Sequence, residues 1–288
     1  MLNMSNDDWE LLLERINDKN CTPFLGARTC AGVFPLGSQV AEQWAQEHGY
    51  PLEDSQDLAR VSQYIAVTRD FMYPKNKIQK QFQNIPFPDF ATPDEPHGVL
   101  AELNLPIYMT TNYDDCMFEA LKKRDKDPKQ EVCRWNTRIK QKSIFETTPG
   151  FSPTPANPVV FHLHGNLKVP ESLVLTEDDY LDFLIQLSRN KELLPARIQE
   201  ALAGSTLLFL GYRLADWDFR VLFRGIVNYL EKSTAYAHVS VQLAPGQEKA
   251  QQYLTRYFDK LDIRIYWGTC RQFAAELRTR WKVFKHVS

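Results

Sequence analysis

The sequence predicts an α/β fold: a Rossmann-type, doubly wound parallel sheet with a smaller helical lobe beside it. Short apolar runs at Cys21–Leu25, Pro106–Thr110, Val159–Leu163 and Thr206–Leu210 alternate with stretches of helical spacing. Each run is short enough for a buried strand and ends abruptly in Gly, Asn, Asp or His. In an open α/β sheet those positions lie at the carboxyl ends of strands, where ligands bind.

The elements follow in order. Asp7 or Asp8 can cap a first helix whose apolar face is Trp9, Leu12, Leu13 and Ile16. Cys21–Leu25 reads as a strand entering the glycine turn Gly26–Gly32, and Ser38–His48 has helical spacing through Val40, Ala41, Trp44 and Ala45. Asp57 to about Gln83 is amphipathic and helical; Pro86, Pro88, Pro93 and Pro96 then punctuate a loop. A short helix, His97–Leu103, leads into the strand Pro106–Thr110, and the helix Asp115–Lys123 follows at once. Residues Arg124–Pro158 are polar and expected to run over the surface with a strand or two, before strand Val159–Leu163. In Leu173–Arg189, Thr176 is a cap with Asp179 three residues on, and helix continues through Leu193–Leu202. Strand Thr206–Leu210 precedes a helix at Asp216–Tyr229. Ala235–Leu243 and Asp262–Trp267 are the last strands, separated by helix Gln247–Phe258, and helix Arg271–Trp281 closes the order.

The expected organisation is one domain over residues 1–288. Its Rossmann core takes approximately 18–37, 97–123, 156–169 and 204–288, and the helical lobe approximately 38–96 and 170–203.

Composition narrows the function classes. An apolar fraction of 43% with 24% charged residues is ordinary for a globular protein. A formal charge of −2 argues against broad electrostatic capture of nucleic acid or of an anionic membrane. The first residues carry acids where a signal peptide carries bases, and no apolar stretch is long enough to span a bilayer, so a cytoplasmic location is expected. Five cysteines are scattered and never form C-x-x-C, which disfavours a zinc ribbon or a disulfide framework; no metal is expected.

Chemistry-bearing residues gather at the strand ends. Gly26, Ala27, Arg28 and Thr29 form a turn suited to an anion, or else a plain tight turn. Arg28 could reach a diphosphate or obstruct one. Thr110, Thr111, Asn112 and Asp114 close the second strand, where Asn112 and Asp114 read equally as an Asx turn capping the next helix. His162 and His164 are too few to hold a metal by themselves; His162 suits the core, and His164 beside Gly165 is the better proton acceptor. After the third run come Gly211, Tyr212, Arg213, Asp216 and Asp218; an acid there can bind ribose or cap a helix. Gly268 and Thr269 similarly read as a cap or a nucleotide contact. The chain holds neither a P-loop nor a Gly-x-Ser-x-Gly elbow.

Four motifs in order, PFLGAR (Pro23–Arg28), TTNYD (Thr110–Asp114), FHLHG (Phe161–Gly165) and FLGYRLADWD (Phe209–Asp218), resemble the SIR2-like, or sirtuin-type, NADase domains of bacterial antiphage defence systems. The resemblance spans about Cys21 to Trp281. It implies NAD+ bound between sheet and helical lobe, as a substrate. By it, Asn112 would position water and the nicotinamide ribose, His164 would be the general base, and Asp114 would support the loop. Gly26, Ala27 and the amides beyond, through Arg28 and Thr29, would hold the pyrophosphate. Thr111 would join the cofactor contacts, and Gly211, Tyr212 and the loop through Asp216 to Asp218 would meet the adenosine ribose, with Gly268 and Thr269 nearby.

Two departures bear on function. The paired C-x-x-C zinc module of sirtuin deacylases is missing, which favours NAD+ hydrolysis to nicotinamide and ADP-ribose over protein deacylation. Arg28 stands where the family has the second glycine of a Gly-Ala-Gly turn, which raises the alternative of an NAD- or ADP-ribose-binding assembly subunit without turnover. Family analogy implies abortive infection by NAD+ depletion, a homo-oligomer, and a partner protein. A HerA-type ATPase/translocase is favoured, with a STAND NTPase or an Argonaute-like protein as alternatives.

Overall fold

A computed structural model describes residues 4–213 and 237–287. Asp216, Asp218, the expected helix Asp216–Tyr229 and the start of the strand expected from Ala235 lie outside the described residues.

Seven strands form one parallel sheet: β1 (Cys21–Leu25), β2 (Ile107–Thr110), β3 (Lys129–Val132), β4 (Val159–His162), β5 (Thr206–Leu210), β6 (His238–Gln242) and β7 (Ile263–Trp267). Their order across the sheet is β3-β4-β2-β1-β5-β6-β7, with every pairing parallel. The chain winds outward from β1 through β2 and then returns to its other side at β5. That reversal makes β1 the topological switch point, beside which open α/β sheets bind ligands. Strand β3 is the one the polar Arg124–Pro158 stretch left unlocated: with Lys129 and Gln130 only half-buried at the sheet edge, its apolar signal is weak.

The sheet's period-two alternation separates two cores. Tyr108, Val160, Leu208 and Val239 face a layer built by α1 (Asn6–Asn17), α5 (Pro96–Glu102), α6 (Cys116–Lys122) and the long C-terminal helix α11 (Cys270–Val287). Met109, Phe161, Leu207 and Phe209 face the opposite layer, which includes α8 (Glu177–Arg189), α9 (Ala196–Gly204) and α10 (Glu248–Asp259). Burying each such side chain contributes about 1.5–3 kcal/mol. The long amphipathic stretch before Gln83 is two helices, α3 (Leu58–Thr68) and α4 (Tyr73–Phe82), with α2 (Gly37–His48) packed against them. Their shared core closes on Leu173 and Leu175, in the segment entering α8. One short helix, α7 (Ile144–Thr147), lies between β3 and β4.

Local chemistry sets the helix ends. Helix α1 is capped by Ser5, not Asp7 or Asp8; Asp8 instead completes the reciprocal box by accepting from the Ser5 amide at 2.9 Å. Thr176 and Asp179 form the same device at α8. Asp179 also accepts from Lys75 at 2.9 Å, and both side chains are buried. This ion pair ties α4 to the segment that carries α8. Among the described residues no helix is long and apolar enough to cross a membrane.

Candidate functional site

The ends of β1, β2, β4 and β5 meet at one edge of the sheet, and backbone contacts lock them together. The Gly26 amide donates to Leu210 O at 2.8 Å, and the Arg28 amide to Gly211 O at 3.2 Å. Gly211 has φ +82°, and a Cβ there would lie 2.5 Å from Gly26 O and 2.7 Å from the Thr29 amide. Only glycine serves at such a crossing, for reasons both of conformation and of space. The Thr29 amide turns back to Gly26 O at 3.0 Å, so a single 3₁₀ turn over Ala27–Cys30 follows the strand. Arg28 sits in that turn with φ below zero and its side chain half-exposed, so the backbone takes a side chain there without strain.

Asn112 docks directly on this turn. Its Nδ2 donates to Gly26 O and to Thr29 Oγ1, both at 3.2 Å, while its amide donates to Thr110 Oγ1 at 2.9 Å. Asp114 does what an Asx turn requires, accepting from the Cys116 amide at 2.8 Å, and its second oxygen accepts from Cys30 Sγ at 3.3 Å. Thr111 Oγ1 meets Tyr212 OH at 2.8 Å, and that hydroxyl donates to Leu25 O at 2.8 Å. The Tyr212 ring therefore lies over Gly26, where an added Cβ would come within 2.9 Å of it.

The register of β2 and β4 sets the second half of the site. Thr110 pairs with His162, so Asn112 and His164 each sit two residues beyond paired positions on adjacent parallel strands. Gly165 then turns with φ +88°, where a Cβ would meet the Ser172 backbone at 2.3 Å. This close approach seats His164 in an apolar box. Its ring lies edge-on to Tyr180 at 5.4 Å and to Phe183 at 5.0 Å. Burial there pushes its pKa down to about 3, so the imidazole is neutral at ordinary pH.

His162 occupies a different environment. It is fully buried, its Nδ1 donates to Asn112 O at 3.4 Å, and Asn166 Nδ2 reaches Nε2 at 3.4 Å. Asn166 in turn donates to Asp115 Oδ1 at 2.8 Å, and Lys168 pairs with Asp115 at 2.8 Å.

The last two candidate positions serve α11. Thr269 Oγ1 accepts from the Gln272 amide at 3.1 Å and Gln272 Oε1 accepts from the Thr269 amide at 2.8 Å, a reciprocal cap. The Gly268 amide is held by Gln242 O at 2.8 Å. The cap nevertheless lies near the site, because the neighbouring Cys270 thiol is close to the Gly211 backbone.

The sequence reading left two groups unassigned. Tyr180, one residue past the capping Asp179, carries no pattern of its own in the sequence, yet it packs on His164. Cys30, His97 and Cys116 come from three separate segments, with no short spacing to connect them, yet their side chains converge beneath Asn112.

Comparison with known proteins identifies the family. The family model described as the SIR2-like domain matches residues 106–266, from the start of β2 to β7. A protein of Cytobacillus dafuensis named NAD(+) hydrolase ThsA is 26% identical over 74% of this chain and 39% of its own length. Its namesake from Bacillus cereus is 25% identical over 70% of this chain and 39% of its own. Defense-associated sirtuin 2 of Bacillus subtilis is 23% identical over 62% of this chain and 16% of its own. The chain thus spans about two fifths, or less, of these relatives' length. A solved structure from work on the mechanism and regulation of Sir2 enzymes covers 98% of the chain at TM-score 0.46 and 11% identity. With more than half of its residues under the domain model, the chain belongs to the SIR2-like family.

Proposed function

We propose that this chain hydrolyses NAD+ at the nicotinamide–ribose bond, giving nicotinamide and ADP-ribose. The observation that carries the reading is a pair of side chains on adjacent strand ends: Asn112 fixed on the Gly26–Thr29 turn, and a neutral His164 in an aromatic box. Hydrolysis replaces the C1′–nitrogen bond with a bond to water oxygen and releases one proton. Charge develops on the ribose as the bond breaks, and a positioned polar group with a nearby proton acceptor lowers that barrier. Asn112 orients water and ribose, and His164 accepts the proton. Asp114 is a positioning residue, since its oxygens are held by Cys116 and Cys30. Gly26, Ala27, Arg28 and Thr29 face the diphosphate, while Thr111, Gly211 and Tyr212 form the wall beside it.

The relatives' names support NAD+ hydrolysis in defence as the biological role, with NAD+ depletion as the effect. On that reading a self-associated chain is switched on by a partner, for which a HerA-type ATPase is the first choice. The test is release of nicotinamide from NAD+ by the purified protein, alone and with the product of the neighbouring gene. Asn112→Ala and His164→Ala should each lower the rate by about 10²–10⁴-fold. Undiminished turnover in both would refute the site.

A second reading, a subunit that binds NAD+ or ADP-ribose without consuming it, rests on a specific observation. The Arg28 and Thr29 amides are already spent on Gly211 O and Gly26 O, and Tyr212 covers Gly26. Calorimetric binding without nicotinamide release would favour it.

A further inference from the structure

Beneath Asn112 lies a cluster that NAD+ chemistry does not use. Cys30 ends the 3₁₀ turn after β1, His97 is the second residue of α5, and Cys116 is the first of α6. Their Sγ, imidazole nitrogen and Sγ atoms all lie within 4.8 Å of one another, and all three residues are buried. The Cys30 sulfur stands 3.7 Å from His97 Nε2. A tetrahedral zinc ion with ordinary bond lengths holds a sulfur and a nitrogen about 3.6 Å apart. The other imidazole nitrogen, Nδ1, is 2.7 Å from the buried Glu95 carboxylate, which itself accepts from the Gly98 amide at 2.5 Å. A carboxylate behind a histidine is the usual support for a metal ligand, fixing ring orientation and leaving the outer nitrogen free to coordinate.

From this geometry we infer that Cys30, His97 and Cys116 form a binding site for a thiophilic divalent cation, Zn2+, with Asp114 as the candidate fourth ligand. Asp114 Oδ2 is 3.3 Å from the Cys30 sulfur. Charge balance favours a cation: the buried Glu95 carboxylate, the half-buried Asp114 carboxylate and two buried thiols surround a single imidazole. Such groups are stable in a low-dielectric interior when paired or bound to metal. Two sulfurs and a nitrogen select zinc over magnesium or calcium, which prefer oxygen. Solvent reaches the cluster from the side of Asn112 and Asp114, which are only half-buried. The Cys30 sulfur also accepts from Asn112 Nδ2 at 3.5 Å, so the ion would sit one hydrogen bond from the Asn112 amide. This site is distinct from the C-x-x-C module that the chain lacks, because its ligands come from the sheet's own crossover elements.

Metal binding does not depend on NAD+ hydrolysis, so the test reads metal alone. Reduced, chelator-treated protein is dialysed against Zn2+ and its metal content measured, and a parallel sample is loaded with Co2+ to record thiolate-to-cobalt absorption. One tightly held ion per chain, and a tetrahedral cobalt spectrum with two thiolates, are expected. Cys30→Ala, Cys116→Ala and His97→Ala should each lose the ion. Glu95→Gln should weaken it by about 10–100-fold. Cys270→Ala, whose thiol lies near Cys30 but outside the cluster, should retain it. Wild-type protein that holds no stoichiometric Zn2+ overturns the inference, whatever the variants do. So does wild-type zinc content in folded Cys116→Ala or Cys30→Ala, with circular dichroism reporting the fold.

Discussion

His162 and His164 stand two residues apart on the end of β4, and the fold uses them in opposite ways. Both are buried, and in both burial is the largest cause of a lowered pKa. His162 recovers part of that cost from partners: the nearby Asp115 charge and the Asn112 carbonyl favour its protonated form. His164 has aromatic neighbours in place of these, and burial alone drives it down to about 3. The difference is geometric. Residues two apart on a continuing strand would share a face, but β4 ends at His162 and the chain turns through Leu163 and His164, which leaves one ring in the Asn166–Asp115–Lys168 network and the other against Tyr180 and Phe183. Among the described residues the two rings thus differ in surroundings: polar groups beside His162, aromatic rings beside His164.

The comparison breaks most decisively in activity. His164→Ala should lose NAD+ hydrolysis by about 10²–10⁴-fold with a chemical-denaturation midpoint close to wild type. If His162→Ala gives the larger catalytic loss at equal folding, the two roles have been exchanged. The next effect is on stability. His162→Ala leaves Asn166 and the Asn112 carbonyl short of a partner in a buried place, and should cost about 1–3 kcal/mol in urea unfolding.

Acid sharpens the contrast. The folded-state pKa of His164 is about 3 against an ordinary 6.5, so in that interval the unfolded chain binds a proton the folded chain refuses. The stabilisation is complete above about pH 6.5 and is lost as pH falls toward 3. His238, lowered to about 4 by burial, acts in the same window and direction. Wild-type protein should therefore lose a few kcal/mol between neutral pH and pH 4. His164→Phe should show a flatter dependence, and an identical slope would contradict the burial of the imidazole. The smallest effect is the most local. Tyr180→Ala opens one side of the aromatic box to water, so the His164 pKa should rise by about one unit toward its ordinary value, read by NMR titration.

How much was legible beforehand depends on the range of the interaction responsible. Strands β1, β2, β4 and β5 were readable because each is a continuous apolar run stopped by polar residues. The capping pair Thr176 and Asp179 was readable because both partners lie within one helical turn. Strand β3 was not located, because an edge strand with half-exposed Lys129 and Gln130 carries little apolar signal. The first helix was assigned to the wrong cap for a subtler reason: Ser5 and Asp8 share the task, and either residue type can begin a helix. In the motif Arg28 reads either as a group that reaches a diphosphate or as one that obstructs it. Its backbone proves ordinary, since the tight crossing that demands glycine falls at Gly211.

By itself the sequence determined the alternating α/β order, the strand ends that carry Asn112 and His164, and the SIR2-like motifs, because these depend on short-range pattern. Tertiary structure alone decided which groups meet. The β2–β4 register brings Asn112 and His164 to matching positions past the ends of adjacent strands, and the return of the chain at β5 lays Tyr212 over Gly26. Packing of α5 and α6 against the turn after β1 gathers Cys30, His97 and Cys116 at one point, although His97 lies 67 residues beyond Cys30. Contacts between segments so distant leave no periodicity in the chain, since they arise only when the sheet closes its order around β1.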